Sequence, residues 1–300
     1  MSGPGAPATV GIVGLGLLGS AIAARLRQAG HAVVGYDILP ACVDRLVALG
    51  GSAAKSAADV ARAADPIFTV LPTLAAVESA ILGADGAVAG ARPGQTIAQM
   101  STISPELTRR LAREVQARGL TFLDCPVSGT SAMVARGDGL FFVGGPRALY
   151  DRWHPLLEAI LPRAVYIGAA GQAMLLKLVA NLLVALNSAS VAEALTMATR
   201  GGLDPALVVD VLGTGAAASR MLEVRGPLMA RGEFPAQMKL ELFMKDLHLI
   251  QQAAQAAGAA LPLTDVAEKL YAATQAAGYG AEDLAVVITE LQRRTQGGSA

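Results

Sequence analysis

The chain has 300 residues, 53% of them hydrophobic, and its 24 basic and 24 acidic side chains cancel to a formal charge of zero. That length suits two domains with a substantial core. The charge balance gives no electrostatic support for binding nucleic acid or an anionic membrane surface, and neither partner is expected.

Residues 1–8 lack the basic start and apolar stretch of a secretory signal, so they read as a loose, disordered tail on a soluble, cytoplasmic protein. From Thr9 onward, short β-rich runs alternate with helical ones. Residues 9–14 read as a buried strand and 18–29 as a helix ended by Gly30. A second strand is expected at 31–37 and a helix at 40–49. Further strands are expected at 66–72, 95–100, 120–127, 140–145 and 163–168, with helices near 74–82 and 105–118. Such alternation implies a parallel sheet covered on both faces.

After Gly168 strand signals stop. A long helix is expected over 171–200, ended by Gly201 and Gly202, then helices at 205–213, 219–230, 239–258, 262–277 and 281–294. The most apolar segment, 174–198, carries Lys177, Asn181, Asn187 and Glu193, which argues against a membrane span. The expected organisation is an α/β domain over 9–168 and an all-α domain over 169–300, joined by the long helix.

Three motifs point to chemistry. The loop GLGLLG, from Gly14 through Leu15, Gly16, Leu17 and Leu18 to Gly19, matches G-x-G-x-x-G between a strand and a helix. In that setting Gly14 permits a tight turn, Gly16 lets a pyrophosphate approach the backbone, and Gly19 lets helix and strand pack closely. Asp37, at the end of the second strand, suits the hydroxyls of an adenosine ribose and would repel a 2′-phosphate, so NAD is expected in preference to NADP. Its alternative role is to cap the helix that follows. The turn Ser128-Gly129-Thr130 offers backbone N–H groups and two hydroxyls to an anion, or is a plain loop. Lys177 and Asn181, spaced i, i+4, share one helix face in an apolar segment. A buried ammonium is costly. Lys177 is therefore either a snorkelling structural lysine or a proton donor whose pKa burial lowers toward the working range. Cys42 and Cys125 form no metal motif, and no metal is expected.

The segments DCPVSGT (124–130), GQAMLLKLVAN (171–181) and MKDL (244–247), following the glycine loop in this order, resemble the β-hydroxyacid dehydrogenase family, which includes 3-hydroxyisobutyrate dehydrogenases and tartronate semialdehyde reductases. The resemblance covers about residues 9–294. It implies a Rossmann-type domain, a long interdomain helix and an all-α domain. It also implies an NAD(P)-dependent hydride transfer between a small 3-hydroxyacid and its semialdehyde. By the same resemblance Lys177 is the catalytic acid/base and Asn181 orients the substrate. Ser128, Gly129 and Thr130 hold its carboxylate, while Leu71, Pro72, Thr102 and Lys245 line the cofactor. Leu18, Thr130 and Leu182 depart from residues frequent in the family. Two other readings stay open: an imine reductase, a class with the same architecture that commonly lacks this lysine, and a non-catalytic dinucleotide sensor. Apolar faces of the long helix suggest a homo-dimer or tetramer.

Overall fold

In the computed structural model, which describes residues 7–296, the β-rich runs of the N-terminal half pair into a single nine-stranded sheet. The strands are β1 (Thr9–Val13), β2 (Ala32–Tyr36), β3 (Ser52–Ala53), β4 (Ile67–Thr69), β5 (Thr96–Gln99), β6 (Thr121–Asp124), β7 (Val127–Ser128), β8 (Leu140–Gly144) and β9 (Ala164–Gly168). Their order is β3-β2-β1-β4-β5-β6-β8-β7, with β9 paired to β8. Between them run α1 (Leu17–Gln28), α2 (Pro40–Ala48), α3 (Ala57–Ala63), α4 (Leu74–Leu82), α5 (Ala87–Gly90), α6 (Pro105–Gln116), α7 (Ser131–Ala135) and α8 (Arg147–Ile160). Residues 1–6 of the expected tail lie outside the described residues.

Side-chain alternation along the strands builds two cores, one on each face of the sheet. Ile12, Phe68, Ala98 and Leu123 pack with Ile22 and Leu26 of α1 and Leu157 of α8. Their strand neighbours Val13, Ile67, Ile97 and Phe122 pack with Val60 of α3, Ile81 of α4 and Leu111 of α6. This is the three-layer solution that buries both faces of a βα-alternating sheet.

The sheet is not wholly parallel, as the alternation alone suggested. β8 runs antiparallel to both β6 and β7. The segment 129–139 before β8 is shorter than the dozen or so residues a parallel crossover needs. The single strand expected over 120–127 is two, broken at Cys125-Pro126, because proline cannot donate to a ladder. Helix α8 goes unanticipated, since its internal Pro155 removes a donor and obscures the helical signal.

The C-terminal half is helical: α9 (Gln172–Arg200), α10 (Pro205–Gly213), α11 (Arg220–Arg231), α12 (Leu240–Ala257), α13 (Pro262–Thr274) and α14 (Val287–Gln296). The helix expected to reach residue 277 stops at Thr274, and a wider turn through 275–279 contains Gly278 at φ +97°. The chain forms two compact units, one reaching to Lys177 and one starting at Leu178, so the division falls inside α9. In the second unit Tyr271 is fully buried, meets Phe243 edge-on at 6.3 Å and donates from its hydroxyl to the Ala185 carbonyl at 2.7 Å. The buried Arg225 guanidinium pairs with Asp283 at 3.1 Å, whose carboxylate also accepts the N–H groups of Gln237, Met238 and Ala285.

Candidate functional site

The strand order reverses at β1 and β4, and a ligand of an open α/β sheet binds outside the strand C-termini at such a point. The residues after β1 and β4 are Gly14–Gly16 and Val70–Pro72. Gly14 has φ +97°, and a Cβ there would lie 2.1 Å from the Val70 carbonyl oxygen and 3.0 Å from the Leu71 side chain. A Cβ on Gly19 would lie 2.0 Å from the Gly14 oxygen, so only glycine lets α1 start this close to β1. A Cβ on Gly16 would meet nothing within 4 Å. Open space therefore borders the first N–H groups of α1, whose first turn carries no acidic residue. That uncrowded, positive helix end fits the pyrophosphate of a dinucleotide.

Asp37 braces this loop. One carboxylate oxygen accepts the Leu15 N–H at 2.7 Å, and the other accepts the Leu39 N–H at 2.9 Å. The half-exposed carboxylate keeps lone pairs for further donors. At the end of β5, the Ser101 hydroxyl accepts the Leu71 N–H at 2.7 Å, tying the β4 and β5 termini together beside Thr102.

The Ser128–Thr130 turn leaves β7 through Gly129 at φ +150°. The Thr130 hydroxyl oxygen caps α7 by accepting the Met133 N–H at 3.2 Å, and α7 packs along α1. Thr130 thus has a structural duty that the sequence did not reveal.

Lys177 lies in the second turn of α9 and is only 8% exposed. The start of α9 is held by a residue that the sequence reading passed over. Asp124, fully buried at the end of β6, accepts the N–H groups of Gly171 at 2.8 Å and Met174 at 3.0 Å on Oδ2. Its Oδ1 meets no hydrogen-bond partner among the described residues. Burial pushes its pKa up to about 7, against the opposing pull of the Met174 and Gly171 N–H groups. The adjoining Cys125 thiol is pushed well up, first by burial and then by the Asp124 charge, which leaves it unreactive as a nucleophile.

In the second unit, Asn181 Nδ2 donates to Asp246 Oδ2 at 2.8 Å, both residues being 4% exposed. Lys245 Nζ lies 3.2 Å from Asp246 Oδ1. Asp246 thus joins Asn181 and Lys245, two residues the sequence named separately. It could have been found, because it falls on the apolar face of α12 with Phe243, Leu247 and Ile250.

Two family models match the chain. One, described as the NAD binding domain of 6-phosphogluconate dehydrogenase, matches residues 9–168. The other, described as NAD-binding of NADP-dependent 3-hydroxyisobutyrate dehydrogenase, matches residues 169–291. The 2-hydroxy-3-oxopropionate reductase of Escherichia coli (strain K12) is 35% identical over 94% of this chain and 97% of its own. A 3-hydroxyisobutyrate dehydrogenase of Pseudomonas aeruginosa is 34% identical over 87% of this chain and 90% of its own. The crystal structure of 3-hydroxyisobutyrate dehydrogenase from Salmonella typhimurium superposes with a TM-score of 0.86 at 31% identity, over 94% of this chain and 99% of that one.

Proposed function

The chain belongs to the β-hydroxyacid dehydrogenase family and is an NAD(P)-dependent oxidoreductase, and from that premise we propose a reversible hydride transfer on a small 3-hydroxyacid or its semialdehyde, with Lys177 as the acid/base. NAD(P), when bound, supplies or accepts the hydride at its nicotinamide ring. The chain's own residues handle the proton and the substrate's position. Lys177 gives a proton to the carbonyl oxygen in reduction and takes one from the hydroxyl in oxidation. Asn181 holds the same oxygen, its amide fixed by Asp246. The Ser128 hydroxyl, the Thr130 O–H and the N–H groups of the 128–130 turn receive the substrate carboxylate. The observation that carries this reading is a lysine at 8% exposure, one helical turn before an asparagine whose amide is locked by a buried carboxylate. A snorkelling lysine would keep its ammonium in water.

Asp37 favours NAD, because a carboxylate opposes a 2′-phosphate, although the description of the C-terminal family model refers to NADP. The exposed apolar stripe of Leu175, Val179 and Leu183 along α9 supports a homo-oligomer.

The decisive experiment is Lys177→Ala, assayed with 3-hydroxyisobutyrate, glycerate, 4-hydroxybutyrate, threonate and sulfonate analogues, each with NAD and NADP. The turnover number should fall by about 10²-fold or more, with NADH affinity preserved and NADH bound more tightly than NADPH. Turnover near the parent value in that variant would reject the acid/base role.

A further inference from the structure

The first turn of α9 is fixed to the sheet through one carboxylate. Asp124 Oδ2 accepts both the Gly171 and the Met174 N–H, and Lys177 follows Met174 by three residues, about 4.5 Å along the helix axis. Space for this grip is built in. A Cβ on the facing Gly144 of β8 would lie 3.3 Å from Asp124 Oδ2 and 2.8 Å from the Ala169 oxygen. The turn is also closed locally, the Gln172 side chain accepting the Ala169 N–H at 2.8 Å. A neutral acceptor would therefore suffice to end the helix. A carboxyl group whose second oxygen is fully buried and meets no partner among the described residues is an expensive means of doing so, and a cost of that kind is commonly kept for function.

We infer that Asp124 is a positioning residue for the proton-transfer step, holding the first turn of α9, and with it Lys177, through the negative charge of its carboxylate. The inference rests on the assignment of Lys177 as the acid/base. As an anion at a helix N-terminus, Asp124 strengthens both N–H bonds and complements the positive end of the helix dipole. As a neutral acid it keeps the acceptor but loses that charge. Its pKa of about 7 puts the exchange between the two forms within the working range. The other polar groups around it are few. Gln99, its neighbour on β5, is neutral and bonds Ser101. Cys125 stays a thiol. On α6, Arg109 lies against Gly171, 3.0 Å from where a Cβ there would stand. Lys177 itself is on α9.

The test compares the full-length parent enzyme, Asp124→Asn and Lys177→Ala. Turnover number and KM are measured from pH 5.5 to 9.5 on the best substrate of the panel, and NADH affinity by fluorescence titration. Asparagine keeps an oxygen for the two N–H groups and removes the charge. Asp124→Asn should bind NADH within about twofold of the parent and lose about 10- to 100-fold in turnover number, the scale of a small misplacement of a reacting group. The parent should show an inflection near pH 7, and the variant should lack it. A folded Asp124→Asn enzyme with parental turnover and an unchanged profile overturns the inference. If that variant does not fold, the parent decides. The ¹³C carboxyl resonance of Asp124 should titrate at the pH of the kinetic inflection, and a rate that is flat across that titration overturns the inference. If Lys177→Ala is inactive while Asp124→Asn behaves as the parent, only the present inference fails. If Lys177→Ala turns over normally, the acid/base assignment fails first.

Discussion

At Gly19 a single methyl group decides whether the phosphate loop can close. With the Gly14 oxygen 2.0 Å from the missing Cβ, Gly19→Ala must push α1 away from β1. It should cost about 1–3 kcal/mol, the usual range for overpacking, and weaken NADH binding; chemical denaturation and a fluorescence titration measure the two effects. Asp124 makes a separate prediction for stability. Its pKa is raised by burial from 3.8 to about 7, so the fold prefers its neutral form. That contribution is fully present below the unfolded pKa of about 3.8, falls as pH rises, and is gone above about 7. The stability of the parent minus that of Asp124→Asn should therefore decline between pH 4 and 7 in urea titrations; a difference that grows with pH would contradict the burial argument. The glycines were legible because each answers a backbone demand that its local motif announces. Asp124 was not, because its partner Gly171 lies 47 residues away in the chain, and for Asp246 the only local signal is its place on an apolar helix face, its partner Asn181 being 65 residues away. A carboxylate that ends a strand, or one that sits beside a lysine, reads as ordinary without those partners.

Among the elements, those with a strong period or a sharp stop were read nearly to the residue. α9 begins one residue later than expected and ends before Gly201, with Gly202 at φ +85°. Features governed by pairing were harder, as β7 and β8 show, since strand direction depends on connection length and not on composition. The C-terminal helices contain a further element-scale feature that periodicity does not reveal. Arg225 of α11 and Asp283 form an ion pair with side chains only 4% and 1% exposed, and Asp283 gathers the backbone at 237, 238 and 285. Arg225→Ala leaves that carboxylate buried without its cation. It should lower stability by about 3–5 kcal/mol, read by guanidinium unfolding. Neither Arg225 nor Asp283 is among the residues assigned to the cofactor, so NADH affinity in the folded variant should stay near that of the parent.

On the scale of the whole molecule, the family relationship extends from Thr9 to Leu291, so fold and chemistry are inherited along nearly the full chain. The stripe Leu175, Val179 and Leu183 is 43%, 46% and 52% exposed, an arrangement a second copy of the chain would cover at little cost in polar desolvation. Light scattering at micromolar concentration should give a dimer or tetramer, and Val179→Glu should shift it toward monomer; a monomeric parent would count against the proposed assembly. The division between the compact units falls directly after Lys177, so the lysine and Asn181 belong to different units while remaining on one uninterrupted helix. Their mutual phase is set by winding alone. One extra residue spliced in between them would swing the amide about 100° around the axis and leave the ammonium facing the wrong neighbour, with neither side chain altered. In that sense α9 works as a gauge: its pitch sets the spacing between Lys177 and Asn181, the groups proposed to move the proton and to steady the oxygen.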